Sequence, residues 1–206
     1  MLSQSVASEL REAISAGEFQ PGEQLSEVKA AERFHCSRNT LRESFTRLAA
    51  ERIVERIPNR GVFLAMPDAD YIRDLFAARA AIEPAAVRWG AFADAPSLVA
   101  LTSSAFDYAA RGEHQEVSSI NQRFHRTLVA ALGSPTLNEQ MDNLLARMRL
   151  TFLLAIPRYP QLHADHIQGN ITLATLIADG KRDEAATLAH DSLMNTCEKI
   201  LAVLDD

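Results

Sequence analysis

From Arg38 to Leu48 the chain reads Arg-Asn-Thr-Leu-Arg-Glu-Ser-Phe-Thr-Arg-Leu. At about 100° per residue this is a helix with Leu41, Phe45 and Leu48 on one face, which must pack inward. Asn39, Arg42 and Thr46 then point away from that face, and Arg38 sits at its edge in the first turn. A cation in the first turn opposes the helix dipole, and Arg38 with Arg42 is a like-charge i,i+4 pair; each costs about a few tenths of a kcal/mol. A docked anion reverses that cost. Phosphate is such an anion, a guanidinium that reaches further takes guanine O6 and N7, and the amide of Asn39 suits adenine. Arg60-Gly61 adds a second basic point whose glycine permits close approach to a nucleic-acid backbone or minor groove.

These residues need a frame, and the flanking sequence supplies one. A helix is expected over Ser3–Ala16, with Val6, Leu10, Ala13 and Ile14 on one face and Gly17 as its stop. Pro21-Gly22 marks a turn, Ser26 caps a short helix through Phe34, and Ser37 caps a helix from Arg38 to Glu51. The His35-Cys36-Ser37 interruption matches helix-turn-helix spacing. Ile53–Ile57 alternates as a strand, Pro58-Asn59-Arg60-Gly61 turns, and Val62–Ala65 returns, which makes a hairpin wing. Met66-Pro67-Asp68-Ala69 reads as a linker. Beyond it no strand pattern recurs, and helices are expected over 70–93, 97–111, 113–132, 135–156, 163–179 and 182–204. The fold class is therefore mainly α. Residues 1–66 form a winged helix-turn-helix with a small β-hairpin, and residues 67–206 an all-helical bundle of about six helices.

The net charge of −6 argues against a nucleic-acid partner until it is divided along the chain. Residues 1–66 carry nine Arg/Lys and nine Asp/Glu, so the remainder holds the whole −6; Arg33–Arg60 has seven arginines against Glu43, Glu51 and Glu55. DNA responds to that local patch. Arginines on an isolated helix are ordinarily a solvated face. Here the preceding helix, the caps and the wing fall in register with them. No apolar run of about 18 residues could span a bilayer and the opening residues lack a secretory pattern, so a cytoplasmic protein is expected. Cys36 and Cys197 are far apart and read as packing residues, and Trp89 reads as core.

The string from Pro21-Gly22 through Leu25-Ser26-Glu27, Ala31-Glu32-Arg33-Phe34, Ser37-Arg38-Asn39-Thr40-Leu41-Arg42-Glu43 and Leu48-Ala49-Ala50-Glu51 to Pro58-Asn59-Arg60-Gly61-Val62 resembles the GntR family winged helix. That resemblance implies DNA contacts from Arg33, Arg38, Asn39, Thr40, Arg42 and Gly61, with Lys29 beside them; Arg60 joins them from its place at the wing tip. Family members typically carry Thr-Pro-Val after Ser-Arg, where this chain has Asn39-Thr40-Leu41, so the family's operator sequence does not carry over.

Residues 70–204 resemble the ligand-sensing domain of the FadR branch (the FCD type), through Leu75–Pro84, Asn121-Gln122-Arg123-Phe124-His125 and the last helix pair around Gly180 and Ala185. Many members hold a divalent metal there, through an aspartate or asparagine, a histidine one turn later and two more histidines. Asn121 and His125 fill the first two places, and being i,i+4 they share a face. The resemblance puts the other two on Asn170 and Ser192, neither a good ligand; His166, one turn before Asn170, is the substitute, whereas His190 points elsewhere. A metal site, for zinc, manganese or nickel, would thus be Asn121, His125 and His166, without the carboxylate that helps hold a divalent cation. The alternative is a polar pocket of Asn121, His125, Asn170 and Ser192 that binds a small effector directly. The family pattern turns Arg79 toward it to meet a carboxylate, unless Arg79 pairs with Glu83 at i,i+4, and Arg149 is a further candidate.

The expected function is a transcription regulator, not an enzyme: a repressor acting as a homodimer on a two-fold symmetric double-stranded operator under control of a small organic acid. Two alternatives compete with it. An architectural DNA-binding protein with an inert helical domain would show no effector response. A metal-dependent hydrolase would need a His-Glu-x-x-His helix or a nucleophile elbow, and neither is present.

Overall fold

A computed structural model describes residues 2–205, without the side chains of Leu2 and His163. The elements run α1 (Leu2–Ser15), β1 (Gln24–Leu25), α2 (Glu27–Arg33), α3 (Arg38–Ala50), β2 (Val54–Ile57), β3 (Gly61–Leu64), then α4 (Ala69–Trp89), α5 (Ala95–Ala110), α6 (His114–Ala130), α7 (Pro135–Ala155), α8 (Leu162–Ala178) and α9 (Arg182–Asp205). They fall into two compact units. One holds the residues up to Asp68 together with Asn143–Leu154; the other holds Ala69–Asp142 and the chain from Ala155 onward. The C-terminal half of α7, assigned by its place in the sequence to the helical bundle, thus groups with the first unit.

In the first unit α1 lies against α3, and the apolar stripes that periodicity marks out are buried: Val6, Leu10 and Ile14 on α1, and Leu41, Phe45 and Leu48 on α3. Two polar ties fix the register of these helices. Ser44 Oγ donates to the Ser3 carbonyl at 2.9 Å. Arg11, buried, grips Glu51 through Nε at 3.1 Å and Nη2 at 2.7 Å. The wing is a three-stranded antiparallel sheet of order β1-β3-β2, with Arg56 opposite Val62 and Leu25 opposite Val62 from the other side. The strand Gln24–Leu25 escapes sequence reading because two residues carry no periodicity.

In the second unit α4 packs along α9, α5 against α6 and α8, and α6 against α4 and α8. Val87, Phe124, Leu128, Leu173 and Ile177 form a core cluster with Ala185, Ala186 and Ala189, whose small side chains let α9 approach closely. Two expectations are corrected here. α4 ends at Trp89 rather than near Ala93, because the chain turns at Gly90, Ala91 N–H bonds the Ala131 carbonyl, and Arg182 takes over the Val87 and Gly90 carbonyls. Trp89 is 76% exposed rather than core, since two residues past the buried Val87 is about 200° around the helix.

Candidate nucleic-acid interface and effector site

Capping chemistry positions the recognition helix. Ser37 is its N-cap and accepts from the Thr40 N–H at 3.1 Å, and its hydroxyl lies 2.9 Å from that of Thr40. Thr40, expected to meet DNA, is therefore half-buried and engaged by its own cap. Arg38, Asn39 and Arg42 are exposed on the outer face, as are Lys29 and Arg33 on α2. His35, at φ 48°, makes the reversal between the two helices.

The exposed arginines are not bare. Arg33 Nη2 meets Glu18 at 2.5 Å, and its guanidinium lies 5.5 Å from the centre of the Phe19 ring and 5.3 Å from that of Phe34. Arg42 meets Glu27 at 3.1 Å. At the wing tip Arg60 stacks over Phe63, and its carbonyl accepts from Gln24 Nε2 at 2.7 Å. Gly61 has φ +110°, and a Cβ there would fall 3.2 Å from that same amide nitrogen. Only glycine meets both conditions without strain. Arg56, which sequence reading left out of the interface, donates from Nη2 to the Arg42 carbonyl at 2.7 Å and so stands beside the recognition helix. The even charge count of residues 1–66 was the one sequence signal that these arginines have internal partners.

The helical unit buries its charge. Arg79 Nε donates to Glu83 Oε1 and His125 Nδ1 to Glu83 Oε2, both at 2.6 Å; Arg79 and Glu83 are each 1% exposed. Burial by itself raises the Glu83 carboxyl. The charges and hydrogen bonds of Arg79 and His125 outweigh it and hold the group at about 2, against an ordinary 4.5. Of the two readings of Arg79, the i,i+4 pair with Glu83 is the one seen.

Asn121 and Asn170 are brought together, with Asn170 Nδ2 donating to Asn121 Oδ1 at 2.7 Å. With Thr102, His166 and Ile167 they line a cavity between α5, α6 and α8. Its volume of about 10 Å³ is room for about one water molecule. Two expected members lie elsewhere. Ser192 is exposed on α9, whose buried stripe runs through Ala189, Leu193 and Thr196. Arg149 belongs to the first unit, where its guanidinium lies so close over Gly17 that no Cβ would fit at that glycine.

This donor set does not fit a divalent cation. The Asn121 and Asn170 amides bond each other and Ser192 faces away, so two of the four expected places hold no good ligand and a third is an amide already engaged. Among the described residues no three His, Cys, Asp or Glu side chains gather where they could hold a metal.

Comparison with known proteins agrees with both halves of this description. Residues 2–64 match the family described as bacterial regulatory proteins, gntR family, and residues 74–195 match the FCD domain. The Nta operon transcriptional regulator of Aminobacter aminovorans is 26% identical over 189 residues, covering 90% of this chain and 88% of that protein. The HTH-type transcriptional repressor GlaR of Escherichia coli (strain K12) is 29% identical over 197 residues, 88% of each. A crystal structure of a transcriptional regulator GntR from Rhodococcus sp. RHA1 superposes with a TM-score of 0.82 at 30% identity, covering 97% of each chain. With a GntR winged helix followed by an FCD effector-binding domain that alone spans more than half its length, this chain belongs to the GntR family of transcriptional regulators and is not an enzyme.

Proposed function

We propose that the chain represses transcription as a homodimer on a two-fold symmetric operator, reading DNA with residues 1–66 and sensing a small organic acid with residues 67–206. The observation that carries the DNA half is the solvated outer face of α3, where Arg38, Asn39 and Arg42 project together while Leu41, Phe45 and Leu48 are fully buried. Lys29, Arg33, Thr40, Arg60 and Gly61 flank that face. One recognition helix reads too few base pairs for useful specificity, which is the reason for two-fold pairing.

For the effector, the support is the contrast between a polar cluster and the space around it. The Asn121 and Asn170 amides meet at the cavity that His166 also lines, and amide N–H groups are donors that a carboxylate can accept from. Room for about one water means that an organic acid must part the Asn121 and Asn170 amides on entry. A ligand that binds only the parted form shifts the balance between two states of the domain, which is what control of DNA affinity requires. No metal is needed in this scheme.

The test begins with duplexes selected from a random pool by the purified protein. Their affinity is then measured with and without a panel of small mono- and dicarboxylic acids, and sedimentation gives the stoichiometry. An active acid should raise stability by about 2.7 kcal/mol at a hundredfold excess over its Kd. Asn170→Ala should abolish that shift and the change in operator affinity, leaving ligand-free binding intact. Chelator should change neither. A monomer that binds the operator with full affinity, or a stoichiometric divalent ion on Asn121, His125 and His166, would overturn the corresponding part.

A further inference from the structure

The cleft between α3 and the β2–β3 hairpin holds two guanidiniums and one carboxylate. Arg42 projects from α3 with 59% of its side chain exposed, and Glu27, the first residue of α2, meets its Nε and Nη2 at 3.1 Å. Arg56 is an exposed residue of β2 on the same face of the strand as the buried Val54, and its Nη2 donates to the Arg42 carbonyl, which also accepts from Thr46 Oγ1 at 2.8 Å. Among the described residues Arg56 makes no ion pair. These side chains, with Ile57, Asn59 and Gly61, line a cleft of about 340 Å³ open to solvent.

Charge at this cleft is unbalanced by one. Two fixed cations face one resident anion, and the floor is backbone whose carbonyl already engages Arg56. A phosphodiester carries the missing unit charge, and a fork of guanidinium donors matches its oxygens. The resident carboxylate is also cheap to displace, because an ion pair exposed to this degree is worth about 0–1 kcal/mol.

We propose that this cleft is a binding site for one backbone phosphate of DNA, held by Arg42 and Arg56, and that Glu27 is an internal anion that occupies Arg42 until DNA displaces it. The inference rests on the reading of α3 and the wing as the DNA-facing surface, and it adds two roles to it. Arg56 is a phosphate anchor that carries no sequence information. Glu27 raises the cost of binding any DNA by the same increment, so it weakens every duplex and leaves the ratio between sequences unchanged.

The experiment uses the full chain and two duplexes of equal length, a selected operator and an unrelated sequence, titrated by fluorescence anisotropy across a salt series. Arg56→Ala is expected to weaken both duplexes by the same factor and to make the slope of log K against log salt shallower by about one unit. Glu27→Gln is expected to tighten both duplexes by the same factor, up to about 5-fold, and to leave the ratio of operator to unrelated binding unchanged. Unchanged salt slope in Arg56→Ala, a loss confined to the operator, or weaker DNA binding by Glu27→Gln would each overturn the assignment. Inorganic phosphate at constant ionic strength separates the two sources of the anion. Saturable competition in the parent that Arg56→Ala removes would make the site one for free phosphate, and absence of such competition supports the DNA phosphate. Arg42→Ala keeps the two levels apart: full operator affinity in that variant sinks the whole DNA-facing surface, whereas loss there with an unaffected Arg56→Ala sinks this inference alone.

Discussion

Two arginine–glutamate pairs define the two halves of this regulator. Arg42 and Glu27 meet at 3.1 Å with 59% and 34% of their side chains exposed; Arg79 and Glu83 meet at 2.6 Å with 2% and 1% exposed. The chemistry is the same and the solvent differs. Water screens the first pair, so a phosphate can exchange for the carboxylate at little cost, and the pair suits a surface that must open for DNA. The second pair has no water to fall back on. Removing one partner leaves a charge in a low-dielectric interior, so Glu83 is part of the fold. The pair at the DNA face should therefore be open to mutation without loss of stability, and the pair in the bundle should not.

The widest gap between the two is expected from Glu83→Gln. Thermal or urea unfolding should show a loss of about 3–5 kcal/mol, because Arg79 loses its counter-charge inside the helical unit. A loss below about 1 kcal/mol would erase the distinction between the pairs. Acid sharpens the same comparison. The folded-state carboxyl of Glu83 sits at about 2, below its ordinary 4.5, so its stabilisation is complete above about pH 4.5 and is lost as pH falls toward 2. The stability difference between parent and Glu83→Gln should accordingly be flat above that range and shrink below it.

A smaller effect, and on a different observable, is expected from Arg42→Ala. Operator affinity should fall by about 1–3 kcal/mol with the unfolding midpoint unchanged, since the side chain projects from a helix whose inner face is intact. A fall in stability matching the fall in affinity would place Arg42 in the structural class with Arg79. The smallest change belongs to Glu18→Gln, which frees Arg33. With 43% of the Glu18 side chain exposed, stability should move by less than about 1 kcal/mol, and DNA binding should strengthen rather than weaken. Calorimetry beside anisotropy on this variant would show whether surface carboxylates restrain DNA binding generally or only through Glu27.

Local chemistry let much of this protein be read from its sequence. The caps at Ser26 and Ser37, the buried stripe of α3, the hairpin closed at Gly61 and the helix breaks at glycine and proline all depend on residues within a turn or two of one another. Periodicity and capping report such relations directly. Only the tertiary structure decided which polar groups meet. Glu27 lies 15 residues from Arg42, His125 lies 42 from Glu83, and Asn170 lies 49 from Asn121. Whether such pairs touch depends on how far each helix is rotated about its own axis and how it is set against its neighbours, and a helical period fixes a face only relative to its own helix. Ser192 shows the consequence: one residue from the buried Leu193 on α9, it turns its side chain to solvent. Trp89 shows it again, because an aromatic side chain at a helix end is buried only if another element reaches over it.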